Sequence, residues 1–240
     1  MSSVQLFSGG LDSVLLWHLR RPDDCAYVTW GAPYEASELQ AIWQLQRLGG
    51  PKVQVLRGAP LLPADQDGHV PHRNLMLLAT VAAHYPAANE ILIGSVLGES
   101  SADKSTRFLR AASRVISASE GRDVTVQAPL ARGLKRWWVK RYLRAGGDVR
   151  LLACTRSCYR GTAVGCGRCP ACFRRWQALQ GLCVPFATEV PAWCWWDDAR
   201  ARGALAAVQR VRAQPVAGWP GIALLNADAA WRVARARRSR

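Results

Sequence analysis

The N-terminal segment constrains the fold most strongly, because an apolar run passes directly into a glycine turn and a helix. The run covers residues 4–7, the turn is Ser8-Gly9-Gly10, and helical spacing extends over 12–19. Further strands are predicted over 26–30, 53–56, 91–93 and 124–127, and further helices over 35–48, 74–84, 105–117 and 134–143. This alternation predicts an α/β fold, a doubly wound parallel sheet with helices on both faces and ligands at the carboxyl edge of its strands.

The loop from Ser8 to Ser13 has the features of an anion-binding site. Two glycines let the backbone turn tightly and approach a ligand, and the first amides of the following helix point at one spot. The hydroxyls of Ser8 and Ser13 add donors. Asp12 would repel a phosphate unless a cation or a backbone donor offsets its charge, so a Mg²⁺-nucleotide fits best. A capped helix after a glycine turn is the simpler alternative.

Four of the eight cysteines form a late cluster with the spacing of a metal site. They are Cys158, Cys166, Cys169 and Cys172. Cys-x2-Cys steps let a tight turn aim successive thiolates at one point, and four thiolates complete a tetrahedral Zn²⁺ site of the structural kind. An iron–sulfur cluster uses the same ligands and remains an alternative.

The net charge of +15 is concentrated in the middle of the chain. Residues 104–175 carry +14, residues 176–240 carry +5, and residues 1–103 carry −4. This asymmetry favours an anionic ligand or partner. However, 28 of the 32 basic residues are arginine, a bias that GC-rich coding produces without any function.

Composition also bears on location and on domain organisation. The chain shows no run of 18 apolar residues and no apolar leader after Met1, so we expect no membrane span and a cytoplasmic location. The alternating pattern ends near residue 150. Residues 151–183 are rich in Cys, Gly and Arg with little periodicity, which predicts a metal-held loop, and residues 184–240 contain five Trp and a basic end. We therefore predict three parts, 1–150, 151–183 and 184–240.

The loop Ser8-Gly-Gly-Leu-Asp-Ser13 resembles the SGGxDS signature of the PP-loop ATP pyrophosphatases. Together with the four cysteines, it resembles the QueC family, the 7-cyano-7-deazaguanine (preQ0) synthases of queuosine biosynthesis. Similar family elements lie at Ser157–Gly161 (Ser-Cys-Tyr-x-Gly), at Val70–Asn74 (Val-Pro-x-Arg-Asn) and at Pro129-Leu130 followed by Lys135. Several motifs in order are more specific than any one of them.

The resemblance implies a Rossmann-like fold of the adenine nucleotide alpha hydrolase type, with a zinc loop beside the substrate pocket. It implies an ATP-dependent ligase that adenylates the carboxylate of 7-carboxy-7-deazaguanine and releases AMP and pyrophosphate. Ammonia would give the amide, and a second activation with loss of water would give the nitrile. The cofactors implied are ATP, Mg²⁺ and Zn²⁺, in an enzyme expected to be a homodimer.

Site residues follow from matching the motifs position by position. The catalytic residues implied are Ser8, Asp12, Ser13, Lys135 and Asp103. The ATP-binding residues implied are Phe7, Ser8, Gly9, Gly10, Leu11, Asp12, Ser13, Arg73, Asn74 and Gly94. The metal ligands are Cys158, Cys166, Cys169 and Cys172. Without the resemblance, Arg73 and Lys135 would be read as a solvated helix start.

One departure from the family leaves the acceptor of the activated acid open. The segment Trp30–Glu35 replaces an Asp-Tyr-Gly-Gln-x-His-like stretch and lacks its Gln and His. One alternative is therefore a QueC-like ligase that joins the deazaguanine to an amine of a protein or peptide, as in anti-phage defence. Another is a zinc-containing nucleic-acid-binding module in which residues 136–141 stack on bases. The basic middle of the chain would then serve a tRNA-like or acidic protein partner.

Overall fold

Five parallel strands form one sheet. The computed structural model describes residues 2–60, 70–97, 101–162, 164–182, 184, 188, 190–213 and 225–232. Its strands are β1 (Ser2–Leu6), β2 (Asp24–Thr29), β3 (Gln54–Arg57), β4 (Ala88–Leu92) and β5 (Thr125–Gln127). They pair in the order β3-β2-β1-β4-β5, all in parallel. The predicted parallel α/β sheet is confirmed.

Helices cover both faces of the sheet. They are α1 (Leu11–Arg20), α2 (Glu35–Arg47), α3 (Arg73–His84), α4 (Thr106–Glu120), α5 (Lys135–Arg144), α6 (Val149–Cys154), α7 (Pro170–Leu179), α8 (Cys194–Ala199) and α9 (Leu205–Ala213). Residues 225–232 are also helical. One core cluster joins the sheet to α1, α2, α5, α6 and α7, and a second joins it to α3 and α4. Burial on both faces explains why the central strands are almost continuously apolar.

The strand order creates a crevice next to β1. The chain runs from β1 outward to β2 and β3, and then returns to place β4 on the other side of β1. The connections that leave β1 and β4 therefore turn to opposite faces of the sheet, and their carboxyl ends separate. The glycine loop follows β1 at this point.

The segment 151–183 differs from the prediction of a metal-held loop with little periodicity. It contains all of α7 and most of α6. Cys169 caps the N-terminus of α7, with its Sγ accepting a bond from the amide of Cys172, and Pro170 occupies the first turn. Phe173, Trp176 and Leu179 then bury one face at helical spacing. The metal motif therefore runs directly into a core helix, and its last ligand already belongs to that helix.

An aromatic cluster joins the C-terminal part to α7. The rings of Phe173 and Trp196 are stacked with centroids 5.7 Å apart, and Val208 and Ala227 complete the buried contact. Buried Asp228 is paired with Arg200 and Arg232. The basic end of the chain, residues 235–240, lies outside the described residues. Within the described parts of the chain, no helix is long and apolar enough to cross a membrane.

Candidate functional site

The glycine loop connects β1 to α1 with its backbone pressed against α2. Gly9 has a φ of +69°, and a β-carbon added there would lie 3.2 Å from both the Glu38 carbonyl oxygen and the Ile42 side chain. Glycine is therefore required for conformation and for space. Gly10 is the N-cap residue of α1 and provides no side-chain cap, so the first amides of the helix stay directed at the crevice.

The two loop serines bond to each other. The Ser8 amide donates to the Ser13 hydroxyl at 3.2 Å, and the two hydroxyl oxygens lie 3.2 Å apart. Ser13 is buried, and Gln5 donates to its carbonyl oxygen at 2.8 Å. Ser13 thus holds the loop in shape, whereas half-buried Ser8 is the more accessible hydroxyl. Phe7 and Leu11 have buried side chains, so only their backbones could reach a ligand.

An ion pair joins the start of α1 to the start of α5. Lys135 Nζ lies 2.9 Å from Asp12 Oδ2, and both side chains are mostly buried. A β-carbon at Gly94 would lie 3.3 Å from the Asp12 Cβ, so the chain leaving β4 passes directly beside this pair. Three sequence-predicted residues from separate segments thus meet at the crevice. Lys135 offsets the charge by which Asp12 would repel a phosphate.

Arg73, at the start of α3, lies near the N-terminal end of α2. It lies close enough to Tyr34 and Glu38 for its charge to favour the ionised form of both. Burial nevertheless raises the pKa of Glu38 to about 7, against the hydrogen bond that it accepts from the Tyr27 hydroxyl at 2.8 Å. Glu38 is a site residue that the sequence did not reveal, because an acidic residue on a predicted helix usually faces solvent.

Two of the predicted site residues, Asn74 and Asp103, are in direct contact. The Asn74 side-chain amide donates to the Asp103 carbonyl oxygen at 3.0 Å. Asp103 lies in the short 3-10 helix Ala102–Lys104, and its carboxylate accepts a hydrogen bond from the hydroxyl of Ser101, just before that helix. This contact fixes the connection after β4 against the N-terminal turn of α3.

The four cysteines form a buried cluster whose sulfur atoms all lie within 4.8 Å of one another. Ideal tetrahedral zinc, with Zn–S bonds of about 2.3 Å, places its sulfurs about 3.8 Å apart, so the cluster fits the ion. Backbone amides donate to three of the sulfurs at 3.4 Å, on Cys158, Cys166 and Cys169. Gly167 has a φ of +68°, and a β-carbon there would collide with the Val190 carbonyl. The predicted ligand set is thus assembled as a site for a metal such as zinc.

The four-cysteine loop, residues 155–172, touches the glycine loop and the segment after β2. The Arg156 amide donates to the Gly9 carbonyl oxygen at 3.1 Å. The ring centroids of Tyr34 and Tyr159 lie 6.0 Å apart, and a β-carbon at Gly161 would lie 3.0 Å from the Pro33 carbonyl oxygen. The segment that departs from the family pattern therefore packs directly against this loop.

A cavity and many of the basic residues lie away from the crevice at the glycine loop. A cavity of about 560 Å³ at the end of α7 is lined by Trp176, Gln180, Thr188 and Trp193 among others, and by none of the predicted site residues. The basic residues of 104–175 also divide between the two faces of the sheet, since α4 packs in one core cluster and α5 in the other. The basic residues of α4 and those of α5 therefore lie on opposite faces of the sheet.

Comparison with known proteins identifies the family. The sequence model of the family described as "Queuosine biosynthesis protein QueC" matches residues 64–183. A 7-cyano-7-deazaguanine synthase of Marinomonas sp. is 30% identical over 50% of this chain and 56% of its own length. That of Caldicellulosiruptor saccharolyticus is 31% identical over 54% and 58%. That of Alteromonas mediterranea is 25% identical over 74% and 93%.

Identity to these relatives is modest, and the first two alignments extend over little more than half of the relative's length. The family match nevertheless covers half of the chain and includes Arg73, Asn74, Lys135 and the four cysteines. The chain therefore belongs to the QueC family.

Proposed function

We propose that this chain uses ATP to adenylate the carboxylate of 7-carboxy-7-deazaguanine and passes the activated acid to an amine. The observation that carries the proposal is the ion pair of Asp12 and Lys135 beside the glycine loop. It places a carboxylate and an ammonium at the open end of α1, where a nucleotide triphosphate needs both cation binding and charge neutralisation. The names of the relatives supply the product, 7-cyano-7-deazaguanine.

The activation step uses the geometry of the loop. A carboxylate oxygen of the acid attacks the α-phosphorus of ATP, the bond to the bridging oxygen breaks, and pyrophosphate leaves. Negative charge grows on the pyrophosphate, so the amides at the start of α1, the Ser8 hydroxyl and Lys135 stabilise it. Asp12 is the carboxylate that would hold Mg²⁺ carried by the nucleotide, and the bound ion would neutralise part of that charge.

Transfer to ammonia completes the first half of the reaction. Ammonia attacks the acyl carbon, AMP leaves, and a primary amide forms after loss of a proton. The amide oxygen then attacks the α-phosphorus of a second ATP and displaces pyrophosphate, and departure of AMP with loss of both nitrogen-bound protons gives the nitrile. Zinc at the four cysteines has a structural part in this scheme, since all four positions of the ion are filled by protein ligands.

A second candidate acceptor is an amine of a protein or peptide. The contact between the unusual segment Trp30–Glu35 and the four-cysteine loop favours it, because Tyr159 remains 47% exposed beside Tyr34. An open aromatic rim suits a larger acceptor better than ammonia does. We also propose that the enzyme is a homodimer and that its basic residues serve an acidic protein or tRNA-like partner. The division of the chain into parts 1–150, 151–183 and 184–240 stays a proposal as well. A nucleic-acid-binding module without catalysis leaves the pair of Asp12 and Lys135 unexplained.

The decisive experiment incubates the protein with ATP, 7-carboxy-7-deazaguanine and ammonia and follows the products by mass spectrometry. We expect AMP, pyrophosphate and a deazaguanine amide or nitrile, all dependent on the acid. Omission of ammonia should leave only the adenylate and its hydrolysis products if ammonia is the acceptor. Absence of acid-dependent pyrophosphate release from zinc-loaded protein would refute the proposal.

A further inference from the structure

Arg175 is a buried cation at the back of the four-cysteine loop. It lies on α7, three residues after the ligand Cys172, and only 6% of the residue is exposed. Burial lowers the pKa of its guanidinium to about 10, so it keeps its charge at neutral pH. A buried charge costs free energy unless it is well hydrogen-bonded, so the partners of this guanidinium determine what the residue holds in place.

The hydrogen bonds of Arg175 tie α7 to the C-terminus of α6. Its Nη2 donates to the carbonyl oxygens of Leu152 and Ala153 at 3.0 and 3.1 Å. Its Nε donates to the Thr155 hydroxyl at 3.0 Å, and that hydroxyl donates to the Leu152 carbonyl oxygen at 2.7 Å. A cation at a helix C-terminus satisfies its last carbonyl groups and interacts favourably with the helix dipole.

The chain leaving α6 then contacts the glycine loop at once. The Arg156 amide donates to the Gly9 carbonyl oxygen at 3.1 Å, and a β-carbon at Gly10 would lie 3.3 Å from the Arg156 carbonyl oxygen. Thr155 is itself only 1% exposed, so it has little room to move between Arg175 and the end of α6. A continuous set of contacts thus runs from the cysteine cluster through Arg175 to the backbone of the loop.

We propose that Arg175 is a positioning residue for the nucleotide. It fixes the end of α6 against the metal-organised helix α7, and the glycine loop keeps its binding geometry only while that connection holds. This inference rests on the proposed function in one respect, namely that the glycine loop binds ATP. It makes nucleotide affinity dependent on a residue that contacts neither the nucleotide nor the metal.

The test compares Arg175→Met with Arg174→Met. Arg174 is the neighbouring residue on α7, and among the described residues its Nε bonds locally, to the Pro170 carbonyl oxygen at 3.4 Å. Binding of a non-hydrolysable ATP analogue is measured by calorimetry, zinc by elemental analysis, and exchange of residues 7–13 by hydrogen–deuterium mass spectrometry. We expect Arg175→Met to keep its zinc, to bind the analogue at least tenfold more weakly and to exchange faster in 7–13. Arg174→Met should match the wild type.

Thr155→Val provides a second variant if Arg175→Met does not fold, because it removes the bond from Arg175 Nε to the Thr155 hydroxyl and preserves the shape of the side chain. It should weaken binding less than Arg175→Met, in the same direction. Wild-type affinity in an Arg175→Met protein that retains zinc would overturn the inference and leave the proposed function standing. Loss of zinc from that variant would also overturn it, since Arg175 would then be part of the metal site. Failure of the wild type to bind the analogue would instead refute the proposed function.

Discussion

The glycine loop and the four-cysteine loop meet at Gly9 and Arg156, yet different forces hold them in place. The glycine loop follows the central strand of a parallel sheet whose core residues include fully buried Val4 and Ile91. The four-cysteine loop contains little regular structure before α7 and depends on thiolates that converge on one point. The first should keep its shape without any ligand, whereas the second should acquire its shape only with the metal. A change in the glycine loop should therefore leave the metal site intact, whereas loss of the metal should reach the glycine loop only through Arg175 and the end of α6.

The largest effect on the chemistry should come from the glycine loop. Asp12→Ala removes the carboxylate that pairs with Lys135, and we expect acid-dependent pyrophosphate release to fall at least about a hundredfold, as for loss of a charge-stabilising group at an active site. Zinc content and the circular dichroism spectrum should stay unchanged. Asp24→Ala, an exposed acid at the start of β2, is the matched control and should retain activity. Loss of zinc from Asp12→Ala would show that the two loops are not separable.

The reciprocal change acts on the metal. Cys169→Ser removes a thiolate ligand but keeps a side chain that can cap α7, so we expect the zinc content to fall from one per chain to nearly none while the helix cap is preserved. Hydrogen exchange should increase across 156–182, while β1 and β4 remain protected. Cys194→Ser, a half-buried cysteine outside the cluster, should retain the zinc. Full zinc retention in Cys169→Ser would contradict the ligand assignment, and loss of protection in β1 would show one cooperative unit.

The contrast between a region held by the sheet core and a region held by the metal also explains which elements the sequence predicts well. Periodicity identified all five strands and the helices of the sheet, because burial on both faces leaves a direct trace in the residue pattern. It missed α7, although Phe173, Trp176 and Leu179 have helical spacing, because the cysteine motif dominated that segment. The contact of Arg156 with Gly9 had no local signal, since it joins residues far apart in the chain and uses only backbone atoms.

Candidate side chains divide in the same way. Asp12 and Lys135 were identified through motifs, and the structure pairs them at 2.9 Å. Glu38 and Arg175 carry no motif, and their importance arises from burial, which no single sequence reveals. The basic residues of α4 and α5 show the converse, because they belong to one strongly basic stretch of the sequence, 104–175, and the sheet separates them.

A smaller effect is expected from Glu38, which titrates within the glycine-loop region. Its pKa is raised to about 7 in the folded state, from an ordinary value of 4.5. Between these two pH values the folded protein keeps the Glu38 proton and the unfolded chain has lost it. Stability should therefore fall as pH rises through this window, by up to about 3 kcal/mol. Glu38→Gln should remove that part of the pH dependence and preserve the bond from Tyr27. Urea unfolding at pH 5 and at pH 8 gives the change in the free energy of unfolding with pH, and Glu90→Gln is the control. An equal change between the two pH values in Glu38→Gln and in the wild type would contradict the prediction.

The smallest effect concerns α5, which connects the two regions. Lys135 at its first turn pairs with Asp12, and its outer side exposes Trp137 with the Arg141 guanidinium 5.6 Å from the ring centroid. An acidic partner bound along this helix would lie beside the candidate site, whereas one bound on α4 would lie on the other face of the sheet. Long-range attraction should make such binding strongest at low salt, because the screening length at physiological salt is about 8 Å.

Two charge reversals of equal size separate a specific surface from bulk charge. One changes three exposed residues of α5, Arg136, Lys140 and Arg144, to Glu; the other changes three exposed residues of α4, Arg107, Arg110 and Arg114. Binding of labelled tRNA and of an acidic polypeptide is measured at low and at physiological salt. If α5 carries the partner site, its reversal should weaken binding about fivefold or more, and the α4 reversal should have a much smaller effect, since both change the net charge equally. Equal losses in both variants would show that only the overall charge acts, and the basic residues would then have no role in selecting an acceptor.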